Sequence, residues 1–132
     1  MKFSSIQFIL FITFFAFSKG SVDSTDCYFP KIDEELNKTY NKVLNEYKSD
    51  TLFIKRLKEA QRAWIKFRDA HLESRFPSTS NTNQYNDYGS IYPYCACVIM
   101  TELTKERIKQ LQAWLNGTIE GDVCGGSYKT SK

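Results

Sequence analysis

Hydrophobic positions fall into three helical stripes separated by two breaks. Between Pro30 and Lys48, Ile32, Leu36, Tyr40, Val43, Leu44 and Tyr47 recur at the spacing of one helical face. Ser49-Asp50 interrupts the stripe and offers an N-cap for the next element. From Thr51 to Phe76 a heptad seam runs through Phe53, Leu57, Ala60, Trp64 and Phe67 towards His71, widened by Ile54, Ile65, Leu72 and Phe76, until Pro77 ends it. The third stripe, from about Cys95 to Asn116, turns Ile99, Leu103, Ile108, Leu111 and Leu115 inward and closes at Asn116-Gly117. The pattern predicts an all-α, antiparallel three-helix bundle with a long loop before its third helix. Its expected core includes Leu36, Tyr40, Leu57, Trp64, Phe67, Leu103 and Leu111. The remaining positions read as solvated, partly paired faces: Lys55, Lys58, Glu59, Arg62, Lys66, Asp69 and Glu73, then Glu102, Lys105, Glu106 and Lys109.

The two ends and the long loop follow other rules. Met1-Lys2, an apolar run from Phe3 to Phe17 and the small-residue pattern Ser18-Lys19-Gly20 read as an export signal over residues 1–20, too short for a span of about 20 apolar residues. One domain is expected over residues 21–132, ending in a Gly- and Ser-rich tail in which only Cys124 gives a reason to expect order. The expected location is periplasmic or secreted, with the membrane met only through the signal. Cleavage removes Lys2 and Lys19, so the formal charge of +3 falls by two. With no block of Lys and Arg, nucleic acid is not an expected partner. Pro77 to Tyr94 holds four tyrosines among Ser, Thr, Asn and Gly, with Asp87 its one charge. Tyrosine gives large contact area at little entropy cost, so this loop is the candidate partner-binding segment, with Tyr85, Tyr88 and Tyr92 as anchors and Arg75 at its base.

The four cysteines, Cys27, Cys95, Cys97 and Cys124, all follow the signal, and an even count in an oxidising compartment predicts two disulfides. Cys95 and Cys97 are too close to pair with each other, which leaves Cys27–Cys97 with Cys95–Cys124, or Cys27–Cys95 with Cys97–Cys124. A metal set from Cys95, Cys97 and His71 lacks a fourth ligand, and no cofactor is expected. His71 is the sole imidazole, and Glu102 with Glu106 reads as a solvated pair beside Lys105 and Lys109, so no catalytic couple is expected.

One block carries more than periodicity. Ala60-Gln61-Arg62-Ala63-Trp64-Ile65-Lys66-Phe67-Arg68-Asp69-Ala70 is preceded by Glu35-Leu36-Asn37 with Tyr40. It is followed by Leu103-Thr104-Lys105-Glu106-Arg107-Ile108 with Leu111. Together these resemble the N-terminal domain of the LprI-type lysozyme-inhibitor family, small exported bacterial helical domains. The resemblance implies a non-enzymatic binder that blocks a lysozyme cleft; the other reading is an envelope structural or protein-interaction domain without that activity. It also implies that Gln61, Arg62, Trp64, Phe67, Arg68, Asp69, Leu103, Thr104 and Arg107 are structural signature residues. Many relatives place a cysteine just after Arg-Asp-Ala and another four residues before Leu-Thr. Leu72 and Ile99 stand there in this chain, leaving Cys95, Cys97 and Cys124 as a variant clamp for the loop and tail.

Overall fold

The computed structural model describes Cys27, residues 29–79 and residues 82–131; the proposed export signal lies outside them. Four helices follow in order: α1 (Phe29–Glu46), α2 (Thr51–Arg75), the short α3 (Gln84–Tyr88) and α4 (Tyr92–Asn116). Asp50 caps α2 by accepting from the Phe53 N–H at 2.9 Å. Pro93 sits at the start of α4, one turn earlier than the apolar stripe suggested, where its missing N–H costs no helical hydrogen bond. The α3 turn was not legible in the periodicity, though Asn83 caps it at 3.0 Å and Gly89 ends it at φ +76°.

Long-range contacts fix the topology. Cys27, just before α1, is bridged to Cys97 near the start of α4, while Tyr47 just beyond α1 donates through its hydroxyl to the Trp114 carbonyl near the end of α4 at 2.9 Å. The helices α1 and α4 therefore run parallel, and α2 returns antiparallel to both. Backbone to backbone, α1 and α4 form the closest pair of long helices, and α2 stands further off. The core is Leu36, Val43, Phe53, Leu57, Ile108 and Leu111, with Trp64, Tyr40 and Trp114 packed partly buried against it. Burial of each large aliphatic side chain contributes roughly 1.5–3 kcal/mol.

The structure departs from the sequence expectation at Phe67, at the second disulfide and in the tail. Phe67 is 54% exposed and outside the core, because a 3.5-residue seam on a straight 3.6-residue helix drifts by about 20° per heptad. By the second heptad the buried line has passed to Gln61, Trp64 and Arg68. The second disulfide is not formed: Cys95 and Cys124 are both free. Cys95 lies in the first turn of α4 and Cys124 beyond its last, so roughly 30 Å of helix separates positions whose Cα atoms would need to approach within about 7 Å. The tail is also more ordered than its composition suggests, but not through Cys124, which is exposed.

That order comes from the aromatic end of the bundle. The Tyr47 hydroxyl accepts from the Lys129 N–H at 3.0 Å, Lys129 Nζ pairs with Glu46, Tyr128 stands edge-on to Trp114 at 5.1 Å, and Trp114 Nε1 donates to Ser127. Thr118 bridges Lys129 and Ser131 through backbone hydrogen bonds. Gly117 must be glycine twice over: its φ is +76°, and a Cβ there would collide with the Lys129 carbonyl oxygen.

Candidate functional site

The signature block and the Leu-Thr block meet as a polar layer between α2 and α4. Arg107 is only 8% exposed, yet carries a full charge. Its Nε donates to Gln61 Oε1 at 3.0 Å and its Nη1 to Gln110 Oε1 at 3.0 Å, while Nη2 finds no acceptor. Two neutral amides thus hold a buried cation. Burial pulls the Arg107 pKa down, opposed by the nearby Tyr40, and burial pushes the Tyr40 phenol up against the opposing charges of Arg62 and Arg107. One turn earlier, Thr104 is fully buried beside the half-buried Leu103.

Trp64 ties this layer to the next. The Arg107 guanidinium carbon lies 6.0 Å from its ring centroid and that of Arg68 5.3 Å, with Phe29 on a further side of Arg68 at 5.5 Å. Arg68 then reaches Asp69 at 3.0 Å and, across to α1, Asp33 at 3.3 Å. Gln61, Trp64, Arg68, Asp69 and Arg107 are therefore brought together as the fastening of three helices, Thr104 is buried with no partner for its hydroxyl, and Arg62 and Phe67 stay at the surface. Gln110, the second amide on Arg107, belongs to no sequence block singled out above. Its only signal was its place three residues after Arg107, on the next turn.

The tyrosine-rich segment sits at the opposite end of the bundle from the tail. Phe76 is met edge-on by Tyr88 and Tyr92, each at 5.2 Å, and the Tyr88 hydroxyl donates to the Pro77 carbonyl at 2.7 Å. Tyr88 and Tyr92 therefore hold the loop down on α2 and α4. Tyr85 stands on α3 with 52% of its surface exposed. Thr82 donates to Asp87 at 2.8 Å and helps fix the turn that carries it. Arg75, exposed at the end of α2, lines with Phe76, Tyr94, Cys95 and Ile99 a pocket of about 240 Å³.

Among the described residues no group of three His, Cys, Asp or Glu side chains could hold a metal ion, and no helix is long and apolar enough to cross a membrane. Glu106 of the Glu102–Glu106 pair is engaged by Lys109 at 3.3 Å, as expected of a solvated helix face. Both the polar layer and the tyrosine-rich segment fall within residues 20–111, the span matched by the family model described as lysozyme inhibitor LprI. No curated protein and no solved structure matches the chain. On a match that takes in all three signature blocks and most of the chain, the protein belongs to the LprI lysozyme inhibitor family.

Proposed function

We propose that this chain is an exported inhibitor that binds a lysozyme and blocks its cleft with the segment between α2 and α4, Tyr85 leading. The observation that carries the reading is the contrast within that segment. Tyr88 and Tyr92 pack on Phe76, which leaves Tyr88 37% exposed, whereas Tyr85 is held out on a capped helical turn with 52% of its surface free. A rigid aromatic presented this way loses little entropy on binding and can bury a large area. Its hydroxyl, the neighbouring amides of Gln84 and Asn86, and the Arg75 guanidinium are donors suited to the carboxylate pair that glycosidases use. The helix faces are convex and, apart from the Ala60–Phe67 flank of α2, carry many charges, which suits them less to a sugar-binding cleft.

The test is a cell-wall lysis assay with lysozymes of several classes, comparing the purified chain with Tyr85→Ala and Arg75→Ala. Tyr85→Ala should reduce inhibition by about tenfold or more, in the range of an interface hot spot, with an unchanged melting temperature. Inhibition retained in Tyr85→Ala would place the contact elsewhere. No inhibition by the unaltered chain of any class would favour an envelope interaction domain that shares the fold.

A further inference from the structure

Along one flank of α2 lie an aromatic knob and an apolar hole, the hole opening where α2 meets the end of α4 and the tail. The knob is Phe67, exposed next to the small side chains of Ala63 and Ala70. The hole is a groove of about 200 Å³ lined by Phe53, Arg56, Leu57, Ala60, Trp114 and Ser127, with Phe53 and Trp114 in ring contact at 5.7 Å. Eleven residues separate Phe67 from Arg56, about 16 Å along the axis. The surface positions Arg56, Ala60, Ala63 and Phe67 are spaced 4, 3, 4 and therefore read the same in both directions about a point between Gln61 and Arg62.

A palindromic face of this kind is self-complementary. We infer that α2 forms an isologous two-fold contact with the antiparallel α2 of a second copy, each Phe67 entering the other's groove. Ala60 and Ala63 of the two copies meet at the centre, where small side chains let the helices approach. The flanking charges agree with this register. In a face-to-face antiparallel pair about that centre, Glu59 of each copy comes opposite Lys66 of the other, twice over. Arg56 pairs with Glu59 within its own chain at 2.9 Å, so its aliphatic stem is held beside the groove where the incoming ring would lie. Shifting the helices until Ala60 faces Ala70 brings Lys66 towards Lys66 and Glu59 towards Glu73, a like-charge juxtaposition that disfavours that alternative. An exposed phenylalanine, an aromatic-floored hole and the charges between them are all satisfied by a second copy of this chain.

Sedimentation equilibrium of the purified chain tests this directly. The unaltered protein should show concentration-dependent dimer, and Phe67→Asp should abolish it without lowering the melting temperature of the dilute protein, since Phe67 supports no core contact. Lys66→Glu and Glu59→Lys should each weaken the dimer by about tenfold, and the double exchange should restore it, because opposite charges again face across the axis. A chain that remains monomeric at every accessible concentration overturns the inference. So does a dimer indifferent to Phe67→Asp, or one that the double exchange fails to restore. If Phe67→Asp abolishes lysozyme inhibition while the unaltered chain is a monomer, the face belongs to the enzyme contact instead and the dimer is refuted.

Discussion

Gln61→Leu offers the sharpest test of how the bundle is fastened. Gln61 is itself buried, 7% exposed, and its amide oxygen is the acceptor for Arg107 Nε at 3.0 Å. Leucine fills a similar volume without an acceptor, so Arg107 is left with Nε as well as Nη2 unsatisfied in a site water reaches poorly. A hydrogen bond to a charged group is worth about 1.5–3 kcal/mol, and stranding a buried charge adds to the loss, so a destabilisation of about 2–4 kcal/mol is expected. Gln61→Glu is the companion: the same shape now carries a carboxylate against a cation that is already desolvated. At neutral pH it should be at least as stable as the unaltered chain. Arg107 would hold the pKa of the introduced carboxyl below its unfolded value of about 4.3, so the stability gained is present above that pH and is lost as the pH falls through the folded pKa. Urea denaturation at pH 7 and pH 3, read as midpoint at constant slope, separates the three proteins. If Gln61→Leu unfolds together with the unaltered chain, or Gln61→Glu is the weaker of the two variants at pH 7, the polar layer is not what holds α2 to α4.

Three further outcomes follow from the same geometry. The Cys27–Cys97 bridge spans 70 residues of sequence, so on the chain-entropy account Cys97→Ser should cost about 4 kcal/mol of unfolding free energy in a denaturation experiment, and a loss near zero would contradict the bridge. Thiol titration of the native protein should find Cys124 reacting quickly and the half-buried Cys95 slowly, and a protein with no titratable thiol would contradict the pairing. Because the phenol of Tyr40 is raised above 10.0 in the fold, its contribution is fully present below that pH and declines as pH rises towards the folded value. Denaturation of Tyr40→Phe should accordingly lose less stability between pH 9 and pH 11 than the unaltered chain, and equal losses would show that the phenol is not desolvated.

The helices were legible because their apolar periodicity is strong: α1 and α2 fall within two residues of the stripes, and Asp50 caps where the break was read. Phe67 shows where that signal fails. A hydrophobic seam identifies a face only to within the drift between a heptad and 3.6 residues per turn. On α2 the true inward positions, Gln61 and Arg68, are polar and therefore invisible to a hydrophobic count. Arg107 entered as a signature residue only through the family resemblance; its burial had no signal in the periodicity, since a buried arginine is recognised through its partners, and these lie 46 residues away on α2 and one turn ahead on α4. At the loop, composition singled out the tyrosines but could not divide them into those that anchor it and the one that projects. That division depends on Phe76, which sits before the proline and outside the segment. The tail was illegible altogether, because its order rests on hydrogen bonds to Tyr47 and Glu46 more than eighty residues earlier.

The docked tail also sets which way the molecule faces when it is held. Because residues 118–131 fold back on Tyr47 and Trp114, an attachment made after them leaves from the end of the bundle remote from α3. Cys27, by contrast, is fastened beside the start of α4, at the same end as Tyr85. A chain tethered through its C-terminal side would hold Tyr85 out towards solution at the full length of α4, roughly 37 Å from the support. Tethered through the segment preceding Cys27, it would turn that same end towards the support.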